Sequence, residues 1–171
     1  MNIGVAIRLD REGKLASAAR AYEDLLEAHV KSGEVLANLL VLYWQATDFG
    51  FWTTKGLSPE FVDVAGRRLW TMLSWEDSSL VRLPEYLFWS RYIRWADLNE
   101  GFSFDECISI MREYPDYPEP AMFAYAASEG RQMKREAEQL LESCSTIGTV
   151  RANYVTSVLS SSLGTRGGRR R

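Results

Sequence analysis

The chain reads as an all-helical protein, an array of short antiparallel helix pairs. Three observations predict it. Apolar residues recur at intervals of three and four through nearly every segment. No run alternates apolar and polar residues between hairpin turns, so no strand pair is expected. Gly, Pro and short polar clusters cut the 171 residues into about nine stretches of helix length.

The first well-defined helix lies in "REGKLASAARAYEDLLEA", residues 11–28. Leu15, Ala18, Tyr22, Leu25 and Leu26 make one apolar stripe, thin at one level and bulky at the next. Gly33 punctuates. Glu34 to Ala46 is apolar on almost every side, which requires cover on two faces. "TDFGFWTTKGLSPE" breaks the pattern and is expected to be a loop. Ser58 followed by Pro59 is a helix start, with Ser as N-cap and Pro at the first helical position. Phe61, Val62, Ala65, Leu69, Met72 and Leu73 then share a side. "SWEDSSLVR" breaks again. Pro84 opens "PEYLFWSRYIRWADL", with Phe88, Tyr92 and Trp95 on one face. After "NEGFSFDE" comes the short helix "ECISIMREY", then the proline-marked loop "PDYPEP". "AMFAYAAS", "REAEQLLES" and "TVRANYVTSVLSS" are three more helices, separated by Gly130 and Gly148. Residues 1–161 are expected to form the folded domain. Residues 162–171 end in "GTRGGRRR", without an apolar group, and are expected to be a disordered Arg-rich tail.

"GKLASAARAYEDLLEA" resembles the second helix of a tetratricopeptide repeat. Gly13 matches the glycine ending the family's first helix, Ala18 the small residue where two helices cross, and Tyr22 the aromatic one turn on. Ala6 and Leu9 match in the helix before. Ala65 with Leu69 and Met72, Cys107 with Met111, and Ala137 with Leu141 and Cys144 repeat the theme. The small positions are spaced by 47, 42 and 30 residues, against about 34 in the family. The resemblance therefore implies a degenerate, TPR-like right-handed α-solenoid. A HEAT-like array or a non-repetitive bundle fits such spacings as well.

Charge and chemistry narrow the function. The net charge is −3, but four arginines fall in the last six residues. Without them, 16 basic residues face 23 acidic ones, a body of −7. Such a body disfavours nucleic acid and anionic membrane and suits a basic or neutral partner. The longest apolar run, Val35 to Trp44, is too short to span a bilayer, so a soluble, cytoplasmic protein is expected. His29 is the single histidine and has no partner set for zinc or catalysis. Cys107 and Cys144 form no CxxC pair and read as buried free thiols. No phosphate-binding, dinucleotide-binding or nucleophile-elbow motif occurs. Carboxylate pairs such as Glu76 with Asp77 and Asp105 with Glu106 sit at helix starts, where the dipole favours them. The expectation is no enzyme, no cofactor and no metal.

The resemblance implies a scaffold or adaptor that binds a protein or peptide in a concave groove. Its frame places Trp44 and Gln45 on the groove of the second repeat. In the third, one register gives Trp89 and Tyr92, and a one-residue shift gives Arg91 and Trp95. Phe51 and Trp52 are candidates for a loop contact. The alternative is nucleic-acid binding through the Arg-rich tail and the Arg/aromatic helix 84–98. Sequence leaves the partner and the oligomeric state open.

Overall fold

The computed structural model describes residues 2–28, 32–76 and 79–164. Among these there are ten α-helices, one 3-10 turn and no strand. They fall into two compact units. One comprises Met1–Ser90 with Thr149–Arg151, the other Arg91–Gly148 with Ala152–Arg171.

In the first unit, α1 (Ile3–Arg11) starts where the Asn2 side chain accepts the Gly4 N–H at 2.8 Å. It stops in a Schellman turn. The Lys14 N–H bonds the Leu9 carbonyl, and the Gly13 N–H bonds that of Asp10. Gly13 sits at φ 73°, which only glycine adopts without strain. The turn lays α2 (Leu15–Glu27) back against α1. Ala18 and Tyr22 are both fully buried, the interlock that the thin-then-bulky stripe predicts.

The helix α3 (Gly33–Thr47) is the core of this unit. Every residue from Val35 to Trp44 is buried, and α2 and α5 (Pro59–Leu73) both pack on it. Each of its leucines, taken wholly out of water, contributes roughly 1.5–3 kcal/mol. Ser58 caps α5 through the Phe61 N–H at 3.2 Å, with Pro59 at the first position, as the sequence dictates. Ala65, Leu69, Met72 and Leu73 form its buried side. A 3-10 turn at Ser79–Arg82 leads into α6 (Pro84–Leu98).

One expectation is corrected. Residues 49–55 are not a loop but a helix, α4 (Phe49–Lys55). Asp48 caps it through the Phe51 N–H at 2.7 Å, and Gly56 ends it at φ 62°. Both signals stand in the sequence, but seven residues are too few for a periodic stripe. This helix brings the total to ten.

In the second unit, the end of α6 is followed by α7 (Phe104–Glu113), α8 (Pro120–Ala127), α9 (Lys134–Cys144) and most of α10 (Val150–Gly164). Asn99 takes a left-handed φ of 55° just past α6, a conformation that Asn tolerates better than most residues. A complete capping box starts α7: Ser103 accepts the Glu106 N–H, and Glu106 accepts that of Ser103. Asp105 and Glu106 fall in the first turn of this helix, as expected, and Glu106 also completes its cap. Pro120 to Tyr125 of α8 are all buried, and α7 and α9 pack on that helix. The last helix runs through Gly164, three residues beyond the expected end of the folded domain. The rest of the Arg-rich tail lies outside the described residues, as do His29 and Asp77.

The four small positions, Ala18, Ala65, Cys107 and Ala137, are each wholly buried. Cys107 and Cys144 are buried free thiols, as predicted.

Candidate functional site

The second unit carries an aromatic cluster built around Phe123 of α8. Its ring meets Trp95 edge-on at 4.9 Å, Tyr92 edge-on at 6.0 Å and Phe102 at 4.6 Å. Tyr92 and Trp95 are three apart on α6, hence on one face, with rings 5.5 Å apart. From α10, Tyr154 closes on Tyr92, and their hydroxyls lie 2.8 Å apart. Burial, and then the other tyrosine, pushes the Tyr92 hydroxyl well above the usual tyrosine value; burial also raises that of Tyr154. Both are neutral phenols that satisfy each other rather than acids or bases.

A cleft of about 280 Å³ opens beside this cluster, lined by Tyr92, Trp95, Met122, Phe123, Ala126, Ala127 and Val158. Not one of these carries a charge. Trp95 is 39% exposed, and Ala126 and Ala127 are exposed at the rim. The alanines keep the mouth open, because a longer side chain at either position would reach into it.

Arg91 and Arg94 hold the loop that follows α6. Arg91 donates to the Gly101 carbonyl at 2.6 Å and to Glu106 Oε1 at 2.9 Å. Arg94 donates to Glu100 Oε1 at 3.0 Å. Burial opposes charge on Glu106, but the Ser103 and Arg91 hydrogen bonds outweigh it and hold the carboxyl below its usual value. The two cations, alternating with aromatics along one helix, thus meet carboxylates of their own chain.

The other expected site residues are placed differently. Trp44 and Trp89 are buried core residues of the first unit, Trp89 edge-on to Phe88 at 5.2 Å. Gln45 beside Trp44 is half-buried. Tyr92 is buried within its cluster. Trp44 and Trp89 therefore have little face to offer a partner, whereas Tyr92 still lines the cleft. Phe51 and Trp52 are half-buried on α4, where Phe51 faces Lys55 and Trp52 meets the exposed Phe49 ring. Of the named residues, the structure brings Arg91, Tyr92 and Trp95 into one unit, and Trp95 alone reaches the cleft mouth.

Sequence reasoning missed Phe123, Phe102 and Asp10. Phe123 stands in a short, wholly apolar helix with no polar face to set its orientation. Phe102 lies in a loop. Asp10 is buried: its Oδ1 accepts the Val150 N–H at 2.9 Å and its Oδ2 the Tyr22 hydroxyl at 3.1 Å. An acid in the last turn of a helix gives no hint of capping a helix 140 residues on.

No cluster of three or more His, Cys, Asp or Glu suited to a metal occurs among the described residues. None of their helices is long and apolar enough to cross a membrane. No family model, curated protein or solved structure matches the chain.

Proposed function

We propose that this chain is a non-enzymatic interaction module, a cytoplasmic scaffold or adaptor. It takes an apolar side chain of a protein or peptide partner into the cleft beside Trp95. The observation that carries this reading is Trp95 itself. A tryptophan 39% exposed, held edge-on by a buried phenylalanine at the mouth of an uncharged cleft, is an anchor of the kind that dominates binding energy at interfaces. The right-handed, tetratricopeptide-like array of antiparallel pairs belongs to the same proposal. The complete burial of Ala18, Ala65, Cys107 and Ala137 supports it, because helices cross closely where residues are small. The nucleic-acid alternative draws less support. Arg91 and Arg94, the cations it needs on helix 84–98, are engaged by Glu106 and Glu100.

The test is selection of peptides from a random display library against the whole protein. Selected peptides should share an apolar or aromatic anchor. Trp95→Ala should weaken them by about ten-fold or more, the loss of one anchor. Trp70→Ala, at the exposed tryptophan of α5, should leave them unchanged. A library without binders, or binders indifferent to Trp95→Ala, would overturn the assignment.

A further inference from the structure

A second cleft, of about 630 Å³, runs over the outer face of α2 between α1 and α5. Val5 of α1 and Val64 of α5 flank it, 38% and 40% exposed. On α2 itself the face is shallow at Ala16 and Ser17 and carries Arg20 and Asp24, all four exposed. Glu23, the next acid along, is held at home by Arg68 at 3.3 Å and by the Tyr43 hydroxyl. Arg20 and Asp24 have no such partner among the described residues. Their spacing of four would let them meet on one helix, yet no ion pair joins them as one joins Arg67 to Asp63 or Lys134 to Glu138.

We propose that this face docks a second copy of the chain, with α2 antiparallel to α2 of the copy about a two-fold axis. An axis level with Tyr22 sets Arg20 opposite the copy's Asp24, and Asp24 opposite the copy's Arg20. A cation and an anion one turn apart on α2, neither ion-paired among the described residues, each meet their opposite across such an axis. The same axis lays the Val5 and Val64 flanks over their counterparts and covers both aliphatic edges. It also brings Glu27 of one copy over Ser17 of the other. Helix α2 has no acid in its first turn, no base in its last and no side-chain cap at Lys14. An antiparallel neighbour supplies the missing carboxylate to the positive end of the helix. None of this rests on the Trp95 cleft, which belongs to the other unit.

Sedimentation equilibrium of the full chain across a wide concentration range tests it. A monomer–dimer equilibrium is expected, weakening with added salt because opposite charges pair across the seam. Arg20→Asp and Asp24→Arg should each weaken the dimer about ten-fold or more, since each sets like charges opposite at two symmetry-related points. The double swap should restore it. Ser17→Glu should weaken the dimer against Glu27 while leaving thermal unfolding unchanged or raised, because an acid in the first turn favours the helix itself. A monomer at every concentration overturns the proposal. So does a dimer indifferent to the single swaps, or one that the double swap fails to restore.

Discussion

Replacing Asp10 tests how the first and last helices of the chain are tied. Asp10 is 3% exposed and accepts two hydrogen bonds, from donors 12 and 140 residues away. Asp10→Ala strands both. The Tyr22 hydroxyl belongs to a fully buried side chain, and the Val150 N–H starts α10 on a residue only 6% exposed. Each buried donor left without an acceptor costs about 1–3 kcal/mol, so the pair costs roughly 4 kcal/mol. Asp10→Asn is the discriminating control. Its amide oxygen still accepts the Val150 N–H, while its NH₂ donates to the Tyr22 oxygen, whose proton turns away. That variant should lose less than about 1.5 kcal/mol at neutral pH. Urea unfolding followed by tryptophan fluorescence reads both. An alanine variant within about 1 kcal/mol of the wild type would mean that the tie carries no stability.

The same residue sets a pH dependence. Burial raises the Asp10 carboxyl above the usual aspartate value of 3.8, against the opposing pull of the Val150 and Tyr22 hydrogen bonds and of Arg151. The folded state therefore holds this proton more tightly than the unfolded chain. Its contribution is fully present below 3.8 and is lost as pH rises through the higher folded-state value. In Asp10→Asn that downward slope should vanish. A variant with the same slope as the wild type would place the titration elsewhere.

Three further outcomes are expected. Ala18→Leu should overpack the crossing of α1 and α2 and cost about 1–3 kcal/mol in urea unfolding; no change would remove Ala18 from the close crossing. Glu106→Gln should cost about 1 kcal/mol at neutral pH, modest because the side chain is 42% exposed. A carboxyl held low contributes above its unfolded value and loses that contribution as pH falls through the folded one, so the gap from wild type should close below pH ~4. The Cys107 thiol, pushed up to about 12 by burial and then by the nearby Glu106 charge, should ignore a thiol reagent in mildly alkaline buffer until the chain unfolds. Prompt labelling of the native protein would show that α7 opens.

Legibility of the fold followed the range of the interactions. Local rules placed a helix start and the buried stripe: Ser58 with Pro59 and the Ala18–Tyr22 interlock act within a few residues, while the equally local Ser103–Glu106 box went unread. The same locality hid α4, whose cap and stop are plain at Asp48 and Gly56 but whose seven residues carry no stripe to connect them. The site was harder for a different reason. An aromatic stripe on a helix says which side is apolar, not whether another helix covers it. Tyr92 and Trp95 share a face, yet Tyr154 of α10 closes on one and leaves the other at the cleft mouth. Arg91 and Arg94 posed the converse problem. Two cations three apart look ready for a partner until the following loop brings Glu100, and the start of α7 brings Glu106, to meet them. Arg20 and Asp24 invert that case. Their spacing suggests a pair within α2, and among the described residues neither has an ion-pair partner. Neither residue is distinctive in the sequence, and only three-dimensional placement separates satisfied charge from charge that still has a partner to find.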